Sequence, residues 1–252
     1  MEYIKNLVSI IMPAHNSEDT ISEAVRSVIV QSYENWELLI IDDCSTDGTV
    51  QVIEEYLKDS RVRLIKTDKT VGKPYYPRNF GIKESRGQYI AFLDSDDIWL
   101  PNKLESQIPL FKDEKTAVVF SNYVKFVTGE ENSNRVVKGP KELTYKKALY
   151  GNDIGNLTAM YDVSKVGKVF FEDVGHEDYV LWLRILKKGF KAVNTGSVEA
   201  RYRISVGSVS ANKGKSALWT WNIYRNILKM NIFYAGFCYF FYALKGIIKY
   251  FK

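Results

Sequence analysis

Residues 89–99, YIAFLDSDDIW, constrain most sharply what this chain can fold into. The opening run YIAFL is long enough for a buried strand and too short for a helix. Three carboxylates, Asp94, Asp96 and Asp97, follow at once. A parallel strand covered on both faces reads as an unbroken apolar run, and ligands bind beyond the carboxyl ends of such strands. In extended geometry Asp94 and Asp96 point the same way. Unpaired, they repel each other, and clustered carboxylates are costly to hold ionised. A hard divalent cation relieves that repulsion, and Mg²⁺ is usually held by one or two carboxylates plus substrate phosphates. The run therefore predicts a cation bridging the protein to a diphosphate. The competing reading is a solvated acidic turn capping the next helix.

The residues before it alternate between strand and helix patterns. Residues 7–12 (LVSIIM) read as a strand ended by Pro13. Residues 36–41 read as a second strand, with Asp42 and Asp43 at its carboxyl end, and 62–65 as a third. Ile21, Ala24, Val25 and Val28, behind a Ser17 cap, form one helical face. Val50, Ile53, Tyr56 and Leu57 form another. Residues 72–77 read as a loop and 78–85 as a helix. This order indicates α/β architecture, a mostly parallel sheet with helices on both faces. No GxGxxG follows the first strand and no Walker A sequence occurs, so phosphates must be held another way.

Beyond Pro101 the spacing predicts a helix over 103–111 and a strand over 117–120 that extends toward Val124. A polar surface loop is predicted over 128–141, a short helix over 143–150 and a strand over 158–161. Gly175-His176-Glu177-Asp178 opens a helix to about Lys187, with Val180, Leu181, Leu183 and Ile185 facing the core. Two acids at a helix start also suit its dipole, so helix stabilisation competes with catalysis as the role of Glu177 and Asp178.

Charge is unevenly placed. Nine of the 35 basic residues and none of the 30 acidic ones lie from Ala200 onward, leaving the first 199 residues at net −4. A basic end of this kind points to an anionic surface partner, membrane or nucleic acid. Cys44 and Cys238 are far apart and lack metal spacing, which suggests a reducing compartment. Residues 1–6 do not read as a secretory signal. Residues 232–244 (IFYAGFCYFFYAL) carry no charge. As a helix they would extend about 20 Å against a hydrocarbon core about 30 Å thick, which is short for a span. Flanking lysines and aromatics suit an interfacial anchor; the alternative is an apolar helix packed on the domain.

Four segments, SIIMPAHN, LLIIDDCSTDGT, PRNFGIKESRGQYIAFLDSDD and HEDYVLWLRILKKG, occur in this order. Together they closely resemble glycosyltransferase family 2, over roughly residues 6–190. The resemblance implies a GT-A (Rossmann-like) fold: a nucleotide-sugar-binding half over 1–100, an acceptor-binding half over 101–205, and here a helical C-terminal tail over 206–252. It implies inversion at the anomeric carbon, a nucleotide-diphospho-sugar donor and Mn²⁺ or Mg²⁺. Pro13 and His15 resemble the family's base and ribose contacts, and Asp43 the carboxylate that accepts from uracil N3. Arg78 resembles a position near the donor phosphates. Asp94 and Asp96, with Ser95 between, match the DXD motif, Asp96 being taken as the direct metal ligand. Asp178 matches the general base and Glu177 its neighbour. Lys73-Pro74-Tyr75-Tyr76-Pro77, Cys44 and His15 depart from what is frequent there: small residues, glycine and tyrosine.

For such chemistry Asp96 should stay ionised under the metal's field, and Asp178 should be partly desolvated, which raises a carboxylate's pKa. His176 is a candidate metal or acceptor contact, or a helix-start histidine with an ordinary hydrogen bond. Trp182 is a candidate acceptor contact, or core. The implied enzyme works peripherally at the cytoplasmic face of a bacterial inner membrane, on a polyprenyl-diphosphate-linked sugar for O-antigen or capsule. A sugar nucleotidyltransferase would show a Gly-rich, Arg-containing loop where PAHNSED stands. A non-catalytic nucleotide-sugar or membrane module is a further alternative, and no recognition motif supports nucleic-acid binding.

Overall fold

Side chains along an extended strand alternate between faces, and in the first strand both faces are apolar. The computed structural model, which describes residues 2–204 and 213–250, sends Ile10 and Met12 into one apolar cluster and Ile11 into the other, all with no exposed surface. That is the pattern of a strand covered on both sides. The elements β1 (Ile4–Ala14), α1 (Ile21–Ile29), β2 (Trp36–Asp42), α2 (Thr49–Glu54), β3 (Val62–Lys66), α3 (Tyr75–Glu84) and β4 (Gly87–Phe92) follow in the predicted alternation. Strands β3, β2, β1 and β4 lie side by side and pair in parallel. Helix α1 buries Ile21, Ala24, Val25 and Val28 as its spacing requires. Ser17 is not its side-chain cap: the Ser17 carbonyl accepts from the Thr20 and Ile21 N–H groups, and its hydroxyl is engaged by Ser95, beyond the end of β4.

The remainder is less regular. It comprises β5 (Ile98–Trp99), α4 (Lys103–Gln107) continued by a 3₁₀ turn, β6 (Thr116–Val127), β7 (Glu130–Val137), β8 (Glu142–Thr144), α5 (Tyr145–Ala148), β9 (Met160–Asp162), α6 (Val163–Val166), α7 (Glu177–Lys187), β10 (Lys191–Arg203), α8 (Lys213–Asn222) and α9 (Ile232–Tyr250). The ten-stranded sheet continues from β4 through β9, β6 and β10 to β5. Strand β9 is antiparallel to both neighbours, whereas β6 and β10 are parallel to each other.

Two expectations are corrected by this arrangement, and one strand is added to them. Residues 128–141 are largely not loop, because β7 folds back on β6 through a turn at Gly129, whose φ of +81° favours glycine. An edge strand of charged residues lacks the apolar alternation that marks a strand. Residues 143–150 are not one helix but the end of β8 followed by α5. Strand β10, between the predicted α7 and the tail, has no counterpart among the sequence-based expectations. Of the tail expected over 206–252, residues 206–212 and 251–252 lie outside the described residues.

Helix α7 is the keystone of one core face. Tyr179, Val180, Leu181, Trp182, Leu183, Ile185 and Leu186 are all buried. The Trp182 ring meets Phe92 of β4 edge-on, centroids 6.2 Å apart. Trp182→Ala should lower unfolding stability by about 3–5 kcal/mol, the usual cost of emptying a large aromatic site. Chemical denaturation of the purified variant measures this as a reduced midpoint at unchanged slope.

Candidate active site

Parallel pairing brings the ends of β1, β2 and β4 to one edge of the sheet. Ala14 lies opposite Asp42, Ile11 opposite Phe92, and the chain just beyond continues the ladder through Asp43 N–H to Ala14 carbonyl (2.8 Å) and Leu93 N–H to Ile11 carbonyl (3.1 Å). The residues beyond these strands therefore meet around a cleft of about 580 Å³. Pro13, His15, Asp43, Arg78, Asp94, Ser95 and Asp96 all line it, together with Gly72, Lys73, Pro74 and Pro77 from the loop and first turn of α3.

Local hydrogen bonds fix each wall. The His15 ring Nδ1 contacts the Asp43 carbonyl at 2.8 Å. The buried Asp43 carboxylate accepts from the hydroxyls of Thr67 (3.0 Å) and Thr70 (2.9 Å). The next residue, Cys44, has φ +60°, a conformation that glycine adopts without cost. Ser95 donates its hydroxyl to Ser17 Oγ at 2.9 Å, tying the acidic turn to the segment after β1.

Arg78 joins this cleft to α7. Its Nη2 donates to both Asp94 oxygens, at 2.7 and 2.9 Å, and its Nη1 to Glu177 Oε1 at 2.5 Å. Burial disfavours the charged guanidinium, yet Asp94 and Glu177 outweigh it and hold its pKa above the usual range. Asp94, Arg78 and Glu177 are thus linked side chain to side chain, although nearly a hundred residues separate Arg78 from Glu177, and Asp178, the next residue, accepts from the Tyr179 N–H at 2.8 Å. Burial pushes the Glu177 carboxyl up to about 7, with Asp178 and Asp94 adding to the rise and Arg78 opposing it. The sequence names Asp178 as the desolvated carboxyl; the one that burial raises is its neighbour Glu177, while Asp178 is half-buried.

The acidic turn is held from behind by a residue that no motif signalled. Arg203, at the end of β10, donates its N–H to the Asp97 carboxylate at 2.9 Å and its Nε to the Asp96 carbonyl at 2.8 Å. Its remaining nitrogens contact Thr128 and Glu23. Asp97 is buried and faces away from the cleft, so it is structural. Burial and then the Asp94 charge raise the pKa of Asp96. Both Asp94 oxygens are engaged by Arg78, which leaves Asp96 as the carboxylate in need of a counter-cation.

Among the described residues, no group of three or more His, Cys, Asp or Glu side chains forms a closed metal cage. A Mg²⁺ or Mn²⁺ that completes its shell with substrate phosphates and water does not require one. The donor set, oxygen-only and open to the cleft, fits such an ion.

His176 adopts φ +56° at the N-cap of α7. Its Nε2 lies 2.8 Å from Ser216 Oγ, and its ring meets Trp219 edge-on at 5.3 Å. Gly175 permits this packing, since a Cβ there would collide with the Trp219 ring. His176 thus sits beside Glu177 in a contact with α8. The acceptor role considered for Trp182 is corrected: 1% exposed inside the core, it lies too deep to touch an acceptor.

Glu177 gives the site a pH signature. Its pKa is near 7 in the folded chain against an ordinary 4.5. Between these values the folded protein keeps a proton that the unfolded chain has released, so stability falls as pH rises through this window. Glu177→Gln should flatten that slope, by an amount on the order of 3 kcal/mol across the window. Denaturant unfolding at several pH values in chelator-treated buffer measures it, and an unchanged slope would remove Glu177 as its source.

Comparison with known proteins agrees with this geometry. A sequence model described as "Glycosyl transferase family 2" matches residues 9–169. The chain is 40% identical over 243 residues to WfaP of Escherichia coli, a UDP-Glc:alpha-D-GlcNAc-diphosphoundecaprenol beta-1,3-glucosyltransferase, covering 96% of this chain and 95% of that protein. It is 41% identical over 221 residues to WfgD of the same organism, which carries the same description, covering 86% and 85%. S. aureus TarS 1-349 in complex with UDP superposes with a TM-score of 0.68 at 21% identity, over 89% of this chain and 66% of that one. Mannosyltransferase PcManGT from Pyrobaculum calidifontis, in complex with GDP-Man and Mn²⁺, gives 0.68 at 19%, over 88% and 64%. These last two speak to fold, and the fold is GT-A. With the family match spanning most of the chain and high identity over nearly all of it, this protein belongs to glycosyl transferase family 2 and is a glycosyltransferase.

Proposed function

We propose that the chain moves a sugar, with inversion, from a UDP-sugar to a hydroxyl of a polyprenyl-diphosphate-linked sugar in O-antigen or capsule assembly. UDP-glucose is the first donor to test, followed by UDP-galactose and UDP-N-acetylhexosamine. The observation that carries this reading is the Arg78 bridge, which joins the donor-side Asp94 to the helix bearing Glu177 and Asp178. Similarity to WfaP and WfgD, whose names specify UDP-Glc and a diphosphoundecaprenol-linked acceptor, supports the substrate class. The enzyme then works peripherally at the cytoplasmic face of the bacterial inner membrane, with its C-terminal tail on the lipid surface. No helix among the described residues is long and apolar enough to cross a membrane.

In this reading Asp43 receives the uracil N–H, and Pro13 and His15 border the base and ribose. Residues 1–100 serve the donor and 101–205 the acceptor. Asp96, beside Asp94, would hold a Mg²⁺ or Mn²⁺ that neutralises charge on the departing diphosphate. The acceptor oxygen attacks the anomeric carbon as its proton passes to the Asp178 carboxylate. The bond from that carbon to the diphosphate oxygen breaks, and UDP leaves with the electron pair. Positioned proton removal of this kind is typically worth about 10²–10⁴-fold. Glu177, paired with Arg78, orients the start of α7 beside the base. His176 and its partner Ser216 border the acceptor side.

Asp178→Asn should keep UDP-sugar affinity, measured by calorimetry, and lose transfer by about 10²-fold or more. A variant that transfers at the wild-type rate would discard the base assignment. Asp96→Ala should abolish the metal dependence of donor binding, and excess EDTA should stop the native enzyme. Undiminished turnover in EDTA would remove the cation from the mechanism. The decisive assay is a donor screen on a lipid-diphosphate-sugar acceptor with and without Mn²⁺.

A further inference from the structure

Helix α9 is apolar almost all round, yet only one side of it is covered. Ala235 and Cys238 are fully buried. Tyr242 meets Tyr179 of α7 with ring centroids 6.0 Å apart, and Tyr239 meets Trp221 of α8 at 5.6 Å. The opposite stripe, Phe233, Phe237, Phe240 and Leu244, repeats at helical spacing and stays 87%, 51%, 61% and 41% exposed. A helix apolar on every side is normally buried, and a contiguous exposed apolar face marks a contact surface.

We propose that this outer face lies on an anionic lipid bilayer, with α9 in the plane of the interface. Charge selects this occupant over a second copy of the chain. No acidic residue follows Glu199 in the sequence, Lys229 is exposed at the turn before α9, and Lys249 and Lys252 come after the apolar stripe. Two such segments face to face would bring like charges together, whereas an anionic surface complements them. The inner stripe is occupied by protein, so the helix lies on the membrane and does not enter it lengthwise.

The consequence reaches the base. Tyr179, next to Asp178, packs on Tyr242 and donates its hydroxyl to the Ala148 carbonyl at 2.7 Å. Helices α5, α7 and α9 are therefore tied together through Tyr179. Bilayer contact on α9 sets the height of Asp178 above the headgroups, where the diphosphate and first sugar of a lipid-linked acceptor reside. This consequence rests on the proposed acceptor class; the docking itself does not.

The test is flotation of the 252-residue protein with phosphatidylglycerol–phosphatidylethanolamine vesicles and with phosphatidylcholine vesicles. The wild type should float with the first, less with the second, and less as salt rises. Phe233→Glu combined with Phe240→Glu should cut the bound fraction roughly tenfold. Melting temperature and turnover on a water-soluble short-chain acceptor should not change. Should the double variant melt early, Phe240→Ser alone is read instead. Equal flotation of variant and wild type overturns the proposal, as does a wild type that stays unbound. A lipid-free dimer in sedimentation that the substitutions dissolve also overturns it, in favour of a second copy. Vesicle binding needs no acceptor. A bound enzyme that ignores lipid-diphosphate sugars therefore contradicts the acceptor class and not the docking.

Discussion

The guanidinium of Arg78, almost wholly withdrawn from water, is the point on which the active-site cleft depends. Its Nη2 holds both oxygens of Asp94 after β4, and its Nη1 holds Glu177 at the start of α7. Losing one partner of a buried ion pair typically costs about 3–5 kcal/mol, because the remaining charge is stranded. Only a planar fork of donors reaches two carboxylates at fixed angles, which a lysine cannot do. The helix that carries Arg78 is brought close to the sheet by Gly81, one turn later. A Cβ at Gly81 would come within 2.5 Å of the Ile11 side chain. Close helix–strand approach thus places the guanidinium over the end of β4.

Arg203 does for the backbone of the acidic turn what Arg78 does for its side chains. Three of its groups end on Asp97, Asp96 and Glu23, from a strand more than a hundred residues beyond the turn. The turn carries three carboxylates within four residues. Without fixed cations behind it, their repulsion would favour an open, solvated loop. Held by Arg203, the turn keeps Asp96 on the lining of the cleft.

Strands β1 to β4 were legible because each is an unbroken apolar run, and such runs admit few other structures. The cleft residues were legible for the same reason: parallel strands deliver the residues beyond their carboxyl ends to one edge. The role proposed for Asp178 comes from the four ordered segments, since spacing alone leaves it undecided against helix stabilisation. Strand β10 was hidden by its register shifts, which break the alternation around Asn194 and Val198. Its last residues, Val198 to Arg203, do alternate, and that was the available signal for Arg203. In them two charged residues, Glu199 and Arg203, are buried, as is Ala200 on the other side. A pattern read for apolar faces assigns such a strand to solvent. Trp182 illustrates the opposite error, in which an aromatic near a motif attracted a binding role although its helical neighbours already marked it as core.

The start of α7 shows which force dominates at Glu177. A helix N-terminus favours a nearby carboxylate by about 0.3–1 kcal/mol. Arg78, in direct contact with Glu177, favours it further. Yet the Glu177 pKa rises from 4.5 to about 7. At roughly 1.4 kcal/mol per unit, that is a net preference of about 3 kcal/mol for the neutral acid. Burial and the neighbouring carboxylates therefore exceed dipole and ion pair together. An arriving cation and diphosphate would alter the charge around Asp94, and with it one of the causes that raise Glu177. The same stretch carries His176 in a left-handed conformation that costs about 1–2 kcal/mol. Such a backbone persists only when its surroundings over-determine it. Here Ser216, Trp219 and the Arg78–Glu177 pair supply that constraint, fixing the residue after Glu177 before any substrate arrives.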